Sequence, residues 1–309
     1  MRFLRILIFF TILFFGIWHE GFSQADLKAY VQSGITKAKL GDYKSAILDF
    51  EKAIALDSNE AEPYYNRGIV RTDMKDFSGA LSDFSKVIAL KPSYAEPYFN
   101  RGLVKDYVLD YSGAIRDYSK AISLKPDYAD AFMNRGLARF DLGDFSEAIN
   151  DFSRALQYKP GYVEGFYNRG LAKFNLQDYQ GATEDFDQAI RLDPSSPDYF
   201  SSRGAAKAAA GFYEAAVDDF TMTLQIQPDE TASLMNRGLA YLYLHKFQEA
   251  ADDYSKIISN DPSNTEALAN RGVARQYLKD LNGACEDWKE ASELGSVKAE
   301  TYLKKYCSP

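Results

Sequence analysis

Residues 61–94 read AEPYYNRGIVRTDMKDFSGALSDFSKVIALKPSY, and residues 95–128 read AEPYFNRGLVKDYVLDYSGAIRDYSKAISLKPDY. The second stretch restates the first without insertion or deletion, and the motif at its centre spreads along the chain. Asn-Arg-Gly stands at 66–68, 100–102, 134–136, 168–170, 236–238 and 270–272, with Ser202-Arg203-Gly204 and Gln32-Ser33-Gly34 in the two intervening places. The period is 34 residues, and eight units follow: 27–60, 61–94, 95–128, 129–162, 163–196, 197–230, 231–264 and 265–298. A fixed period of this length marks a stack of small units, each unable to bury its apolar face alone. The repeats fill 27–298 and leave no space among them for a separate catalytic domain.

Numbering each unit from its first residue, position 8 is Gly throughout (Gly34 to Gly272) and position 20 is Ala throughout (Ala46 to Ala284). Small residues there let two helices approach closely. Position 24 is always aromatic, from Phe50 to Trp288, and position 4 is aromatic in six units, from Tyr30 to Phe200. These rings fill the space beside the small contacts. Asp at position 16 in six units (Asp42, Asp76, Asp110, Asp144, Asp178, Asp280) predicts the N-cap of a second helix. Pro at position 32 in six units, from Pro92 to Pro262, ends that helix. The unit is therefore helix, short turn, helix, stop, and the fold class is all-α.

The period, with an aromatic at position 4, glycine at position 8, alanine at position 20, an aromatic at position 24 and proline at position 32, resembles the tetratricopeptide repeat family. Two columns depart from the family pattern. Arg replaces the usual Leu at position 7 in seven units, and Lys or Arg replaces the usual Tyr at position 11 in most. The resemblance implies a right-handed α-solenoid whose first helices line a concave groove and whose second helices lie outside. The eighth unit has Ser296 in place of the proline, and 299–309 are expected to form a capping helix over the end of the stack.

Composition narrows the function. With 46% hydrophobic residues, 26% charged and a net charge of −8, the chain is globular, and its acidity argues against a nucleic-acid partner, which needs a basic footprint. Arg2 and Arg5 precede an apolar run from Ile6 to Trp18, then Gly21, Phe22 and Ser23, the pattern of a secretory signal. The run is shorter than the roughly 20 residues of a membrane span. Cleavage after Ser23 is expected, the alternative being an uncleaved signal anchor, and no cysteine follows the run to accept a lipid. The mature protein would start at Gln24, carry no stable membrane span, and work outside the cytoplasm, in a periplasm, at the envelope or extracellularly.

Position 6 carries a column of amides: Asn66, Asn100, Asn134, Asn168, Asn236 and Asn270. An amide both donates and accepts, so a spaced row of them satisfies the backbone of an extended peptide without reading its sequence. Similar asparagine ladders line the groove in the repeat regions of O-linked glycosyltransferases of this superfamily. Against that, such amides bond neighbouring helix ends or water. Beside them, Tyr65, Phe99, Met133 and Tyr167 at position 5 are candidate groove contacts, with Tyr94, Tyr128 and Tyr162 at position 34, although packing between units explains such residues equally well. Asp at position 23 in all eight units predicts ion pairs with the Arg column rather than a basic ladder for anions. Acids at position 2, among them Glu62 and Glu96, suit the first turn of a helix and, on a groove rim, favour a basic or neutral partner.

The chaperone-gripping members of the family resemble one another in having Lys at position 5 and Asn at position 9 of one unit. Here position 5 holds no Lys and position 9 is apolar, so that clamp is absent. Catalysis and cofactors are not expected: His245 falls at a turn position, and no nucleophile pair, metal-ligand set or phosphate loop can be assembled. Cys285 and Cys307 are an even pair, either a disulfide stapling the cap to the last unit or two buried thiols; the oxidising compartment favours the disulfide, worth about 3 kcal/mol. The reading is a non-catalytic scaffold that binds a protein or peptide in the groove. The alternative is a structural assembly component of the envelope that uses the convex face or the stack ends.

Overall fold

A computed structural model describes residues 24–307. The expected leader at 1–23 and the last two residues lie outside the described residues. Those described form helices and turns, with no strand among them. The helices fall into two compact units, one ending at Tyr158 and the other beginning at Lys159.

The first unit begins with α1 (24–39) and α2 (Tyr43–Leu56). It continues through α3 (Ala61–Asp73), α4 (Phe77–Leu90), α5 (Ala95–Tyr107), α6 (Tyr111–Leu124), α7 (Ala129–Asp141) and α8 (Phe145–Tyr158). The second contains α9 (Val163–Asn175), α10 (Tyr179–Leu192), α11 (Pro197–Ala209), α12 (Tyr213–Ile226), α13 (Thr231–Tyr243), α14 (Phe247–Asn260), α15 (Thr265–Tyr277), α16 (Leu281–Glu293) and α17 (Val297–Tyr306). Within each unit a helix packs against the one before and the one after, as short connections between antiparallel helices require.

The turn inside each hairpin has a simple cause. Position 15 takes a left-handed backbone, at Gly41, Gly143 and Gly211, and also at Lys75, Leu109, Gln177 and His245. A left-handed residue closes the first helix. The Asp after it then opens the second: Asp76 accepts from the Gly79 amide, Asp110 from Gly113 and Asp178 from Gly181. Phe212 and Lys246, which stand in this place in two hairpins of the second unit, give no side-chain cap. His245 is thereby a turn residue.

The core repeats with the period. Rings at position 24 are buried, from Phe50 to Phe152 in the first unit and from Phe186 to Trp288 in the second. Each lies against the position 8 glycine: a Cβ on Gly170 would meet Phe186 Cε1 at 2.7 Å, and one on Gly136 would meet Phe152 Cε1 at 2.7 Å. The glycine column is thus the floor on which the ring column rests, and each ring's burial contributes about 2 kcal/mol.

The final helix starts at Val297, two residues ahead of the expected cap, because Ser296 serves as its N-cap through the Ala299 amide. Tyr302 and Tyr306 pack on Trp288, with ring centres 5.1 and 5.7 Å away. Cys285 of α16 and Cys307 form a disulfide, with Cα atoms 5.8 Å apart.

Candidate functional site

The charged columns form a lattice between the two helices of each hairpin. Arg67 holds Asp83 with two parallel bonds, Nε to Oδ2 at 3.0 Å and Nη2 to Oδ1 at 2.7 Å, and Arg71 adds a third at 2.8 Å. Arg135 and Arg139 treat Asp151 in the same way. In the second unit Arg169 and Lys173 share Asp185, and Arg203 and Lys207 share Asp219. Two cations four residues apart are thus reconciled by one buried carboxylate, which removal from water would otherwise penalise heavily. For Asp49, burial pushes the carboxyl up, and hydrogen bonds from Lys37 and Ser33 outweigh it and hold the group below its ordinary value.

The same arginines explain the departure at position 7. The Arg67 guanidinium lies 5.5 Å from the centre of the Tyr64 ring, and Arg135 and Arg169 lie 5.4 and 5.6 Å from Phe132 and Phe166. The aromatic column at position 4 is a set of plates for cations. The sequence carries the signal, an aromatic three residues before five of the seven arginines, but it shows only when the two columns are read together.

The amide column divides. Asn66, Asn134 and Asn168 each donate Nδ2 to the backbone carbonyl one turn back, of Glu62, Asp130 and Glu164, at 3.0, 2.8 and 2.7 Å. Their Oδ1 atoms accept from no group among the described residues. Asn100 instead donates to the Tyr65 hydroxyl at 2.8 Å. Asn236 is half-buried. Asn270 departs from the expected open position: it is 5% exposed, its Oδ1 accepts from Lys298 of α17 at 3.0 Å, and its Nδ2 reaches Met235 Sδ at 3.7 Å. The capping helix thus covers this amide. Met133 likewise is 3% exposed and belongs to the core, since a flexible thioether fills space between helices.

Rings border the remaining amides. Tyr65 and Tyr94 have centres 5.6 Å apart, and Phe99 and Tyr128 4.9 Å. In the second unit Tyr167 pairs with Tyr199 at 5.0 Å, and its hydroxyl meets Ser202 Oγ at 3.3 Å. Burial and the nearby Tyr94 push the Tyr65 hydroxyl up to about 12, and burial and Glu96 raise Tyr94 and Tyr128. These phenols stay neutral. A cavity of about 820 Å³ opens beside Tyr65, Asn66 and Tyr94, with Glu60 and Glu62 on its edge.

One buried group has no counterpart in other hairpins. Tyr118 donates to Asp106 Oδ2, and Asp106 Oδ1 is buried without a partner. Burial pushes this carboxyl up to about 6, against the hydrogen bond from Tyr118. Position 12 is otherwise mostly apolar, so only a residue-by-residue reading finds it. Among the described residues no group of three or more His, Cys, Asp or Glu is placed to hold a metal ion, and no helix is long and apolar enough to cross a membrane.

Comparison with known proteins follows the helices. A family model described as TPR repeat matches residues 36–75, 110–143 and 136–177, and one described as tetratricopeptide repeat matches 163–196 and 232–264. Among solved structures, the C-terminal part of a TPR repeat-containing protein from Cytophaga hutchinsonii superposes with a TM-score of 0.67 at 18% identity, over 78% of this chain and 98% of that one. The protein MamA matches at 25% identity and a TM-score of 0.52, over 56% of this chain and 95% of its own. YrrB, titled a TPR protein with an unusual peptide-binding site, matches at 18% identity and a TM-score of 0.55, over 61% of this chain and 97% of its own. Among curated proteins no relative matches the chain. Repeated matches to the family models, helical hairpins at a 34-residue period and this set of structural neighbours make the chain a member of the tetratricopeptide repeat family.

Proposed function

We propose that the protein is a non-catalytic scaffold that holds an extended segment of a partner protein along its first-helix face. The observation that carries this reading is the state of the amides in each unit taken by itself, Asn66 and Asn134 in the first and Asn168 in the second. Each amide is fixed by a bond to its own helix, and each keeps a carbonyl oxygen without a partner among the described residues. Fixed acceptors cost little further entropy when a guest N–H arrives. Neutral phenols at Tyr65, Tyr94 and Tyr128 add contact area with donors at their tips. The peptide-binding site named for YrrB supports the reading by similarity of fold.

The work is proposed to take place outside the cytoplasm. The arginine-led apolar run at the start of the sequence supports this, and so does the disulfide between Cys285 and Cys307, which persists in oxidising compartments.

Selection from a random peptide display library by the chain from Gln24 onward tests the groove. Selected peptides should bind the Asn66→Ala, Asn134→Ala, Asn168→Ala triple variant at least tenfold more weakly, at unchanged helicity. Unchanged binding would move recognition elsewhere and favour the assembly reading. That second reading has its own observation: Phe212 is 64% exposed at a turn, where the other hairpins mostly place Asp.

A further inference from the structure

The cavity of about 820 Å³ in the first unit is lined by the rings of Tyr65 and Tyr94, by Glu60 and Glu62, and by Lys91. The two rings are tilted by 45° rather than stacked, so they form an open corner. Fixed cations account for part of the negative charge nearby. Lys91 Nζ lies 3.5 Å from Glu60, and Lys125 Nζ lies 3.8 Å from Glu96. Glu62 is exposed and forms no ion pair among the described residues.

Equivalent rings elsewhere show what such a ring takes. At position 34, the Tyr128 ring carries the Lys125 ammonium 4.5 Å from its centre, and in the second unit the Tyr162 ring carries Lys159 at 3.9 Å. In both cases the lysine stands three residues before the ring. Tyr94 has the same lysine, Lys91, at the same spacing, but Lys91 pairs with Glu60 and no cation stands over the Tyr94 ring among the described residues. The unit with Tyr94 is also the one whose cavity holds the unpaired Glu62.

We infer that the Tyr65–Tyr94–Glu62 corner binds a cationic side chain, the guanidinium of an arginine, delivered by the guest segment. This rests on the groove reading for the carrier of the cation. The π face and the carboxylate are both negative where the cation would sit, and a planar guanidinium stacks on a ring while it bonds a carboxylate.

The corner can be tested without knowing the guest. The chain from Gln24, carrying ¹³C-labelled tyrosine, is titrated with N-acetylarginine methylamide, the Tyr94 ring signal being assigned by its loss in Tyr94→Phe. N-acetylcitrulline methylamide, the neutral isostere, is the control. Arginine amide should move the Tyr94 signal saturably, with an apparent Kd at least about fivefold below that of the citrulline amide. Glu62→Gln or 0.5 M salt should erase most of that difference. Equal shifts from the two amides, or a Tyr94 signal that arginine leaves in place, would overturn the inference. Arginine preference here with no peptide selected from the display library would instead remove the groove reading and leave the corner as a site for free guanidinium compounds.

Discussion

A methyl group added at Gly170 would stand 2.7 Å from Cε1 of the fully buried Phe186, so the ring or one of the two helices must shift. Gly170→Ala should lower the unfolding free energy by about 1–3 kcal/mol, read by urea denaturation. Asp106 is the opposite kind of residue, one that its surroundings tolerate rather than require. Burial pushes its carboxyl in the folded chain up to about 6, from an ordinary 3.8. Between those values the folded chain binds more protons, so this contribution to stability is whole below the lower value and is lost as pH rises through the upper one. Asp106→Asn should flatten that slope, changing the difference in stability between pH 4.5 and pH 7.5 by about 1 kcal/mol once partial solvent screening is allowed for. At this scale the columns were legible because each residue type recurs with one physical job. Asp106 and the cation on each position 4 ring were not, the first because it occurs once, the second because it joins two columns through space.

At the scale of the helix, the turns divide into well-made and ill-made ones. Leu109 holds a left-handed backbone at φ 62° and is 70% exposed, so its side chain gains nothing to offset the strain. Leu109→Gly should stabilise the protein by about 0.5–1 kcal/mol. Phe212 fills a cap place without capping, and Phe212→Asp should give about 1 kcal/mol, seen as slower amide exchange at the start of α12. If Phe212 docks a partner, the same change would also weaken assembly. Helix boundaries were legible in the sequence because Asp and Pro punctuate nearly every unit. The start of α17 was not, since Ser296 is a proline place in the repeat and becomes a cap only when a further helix follows.

For the molecule as a whole, each repeat leans on its neighbours, so its ends decide how it unravels. The disulfide closes a separation of 22 residues between α16 and the end of α17. Its reduction should cost up to about 3 kcal/mol and open α16 and α17 to exchange while the first unit stays protected. Uniform exchange after reduction would contradict this. The proposed binding face was only half legible. Period and amide column suggest it, but which amides are open depends on what packs over them. Asn270 looks like every other rung in the sequence, and α17 removes it.

That removal has a further meaning under the proposed reading. The Lys298 ammonium donates to Asn270 Oδ1 as a guest's N–H would donate to Asn134 or Asn168, so the chain carries a short imitation of its own guest. The row of rungs thereby has a stop. Under that reading a segment lying along the second unit would meet α17 at this rung, so Lys298 would fix where such a segment stops, as a bookend does, while leaving its other end free.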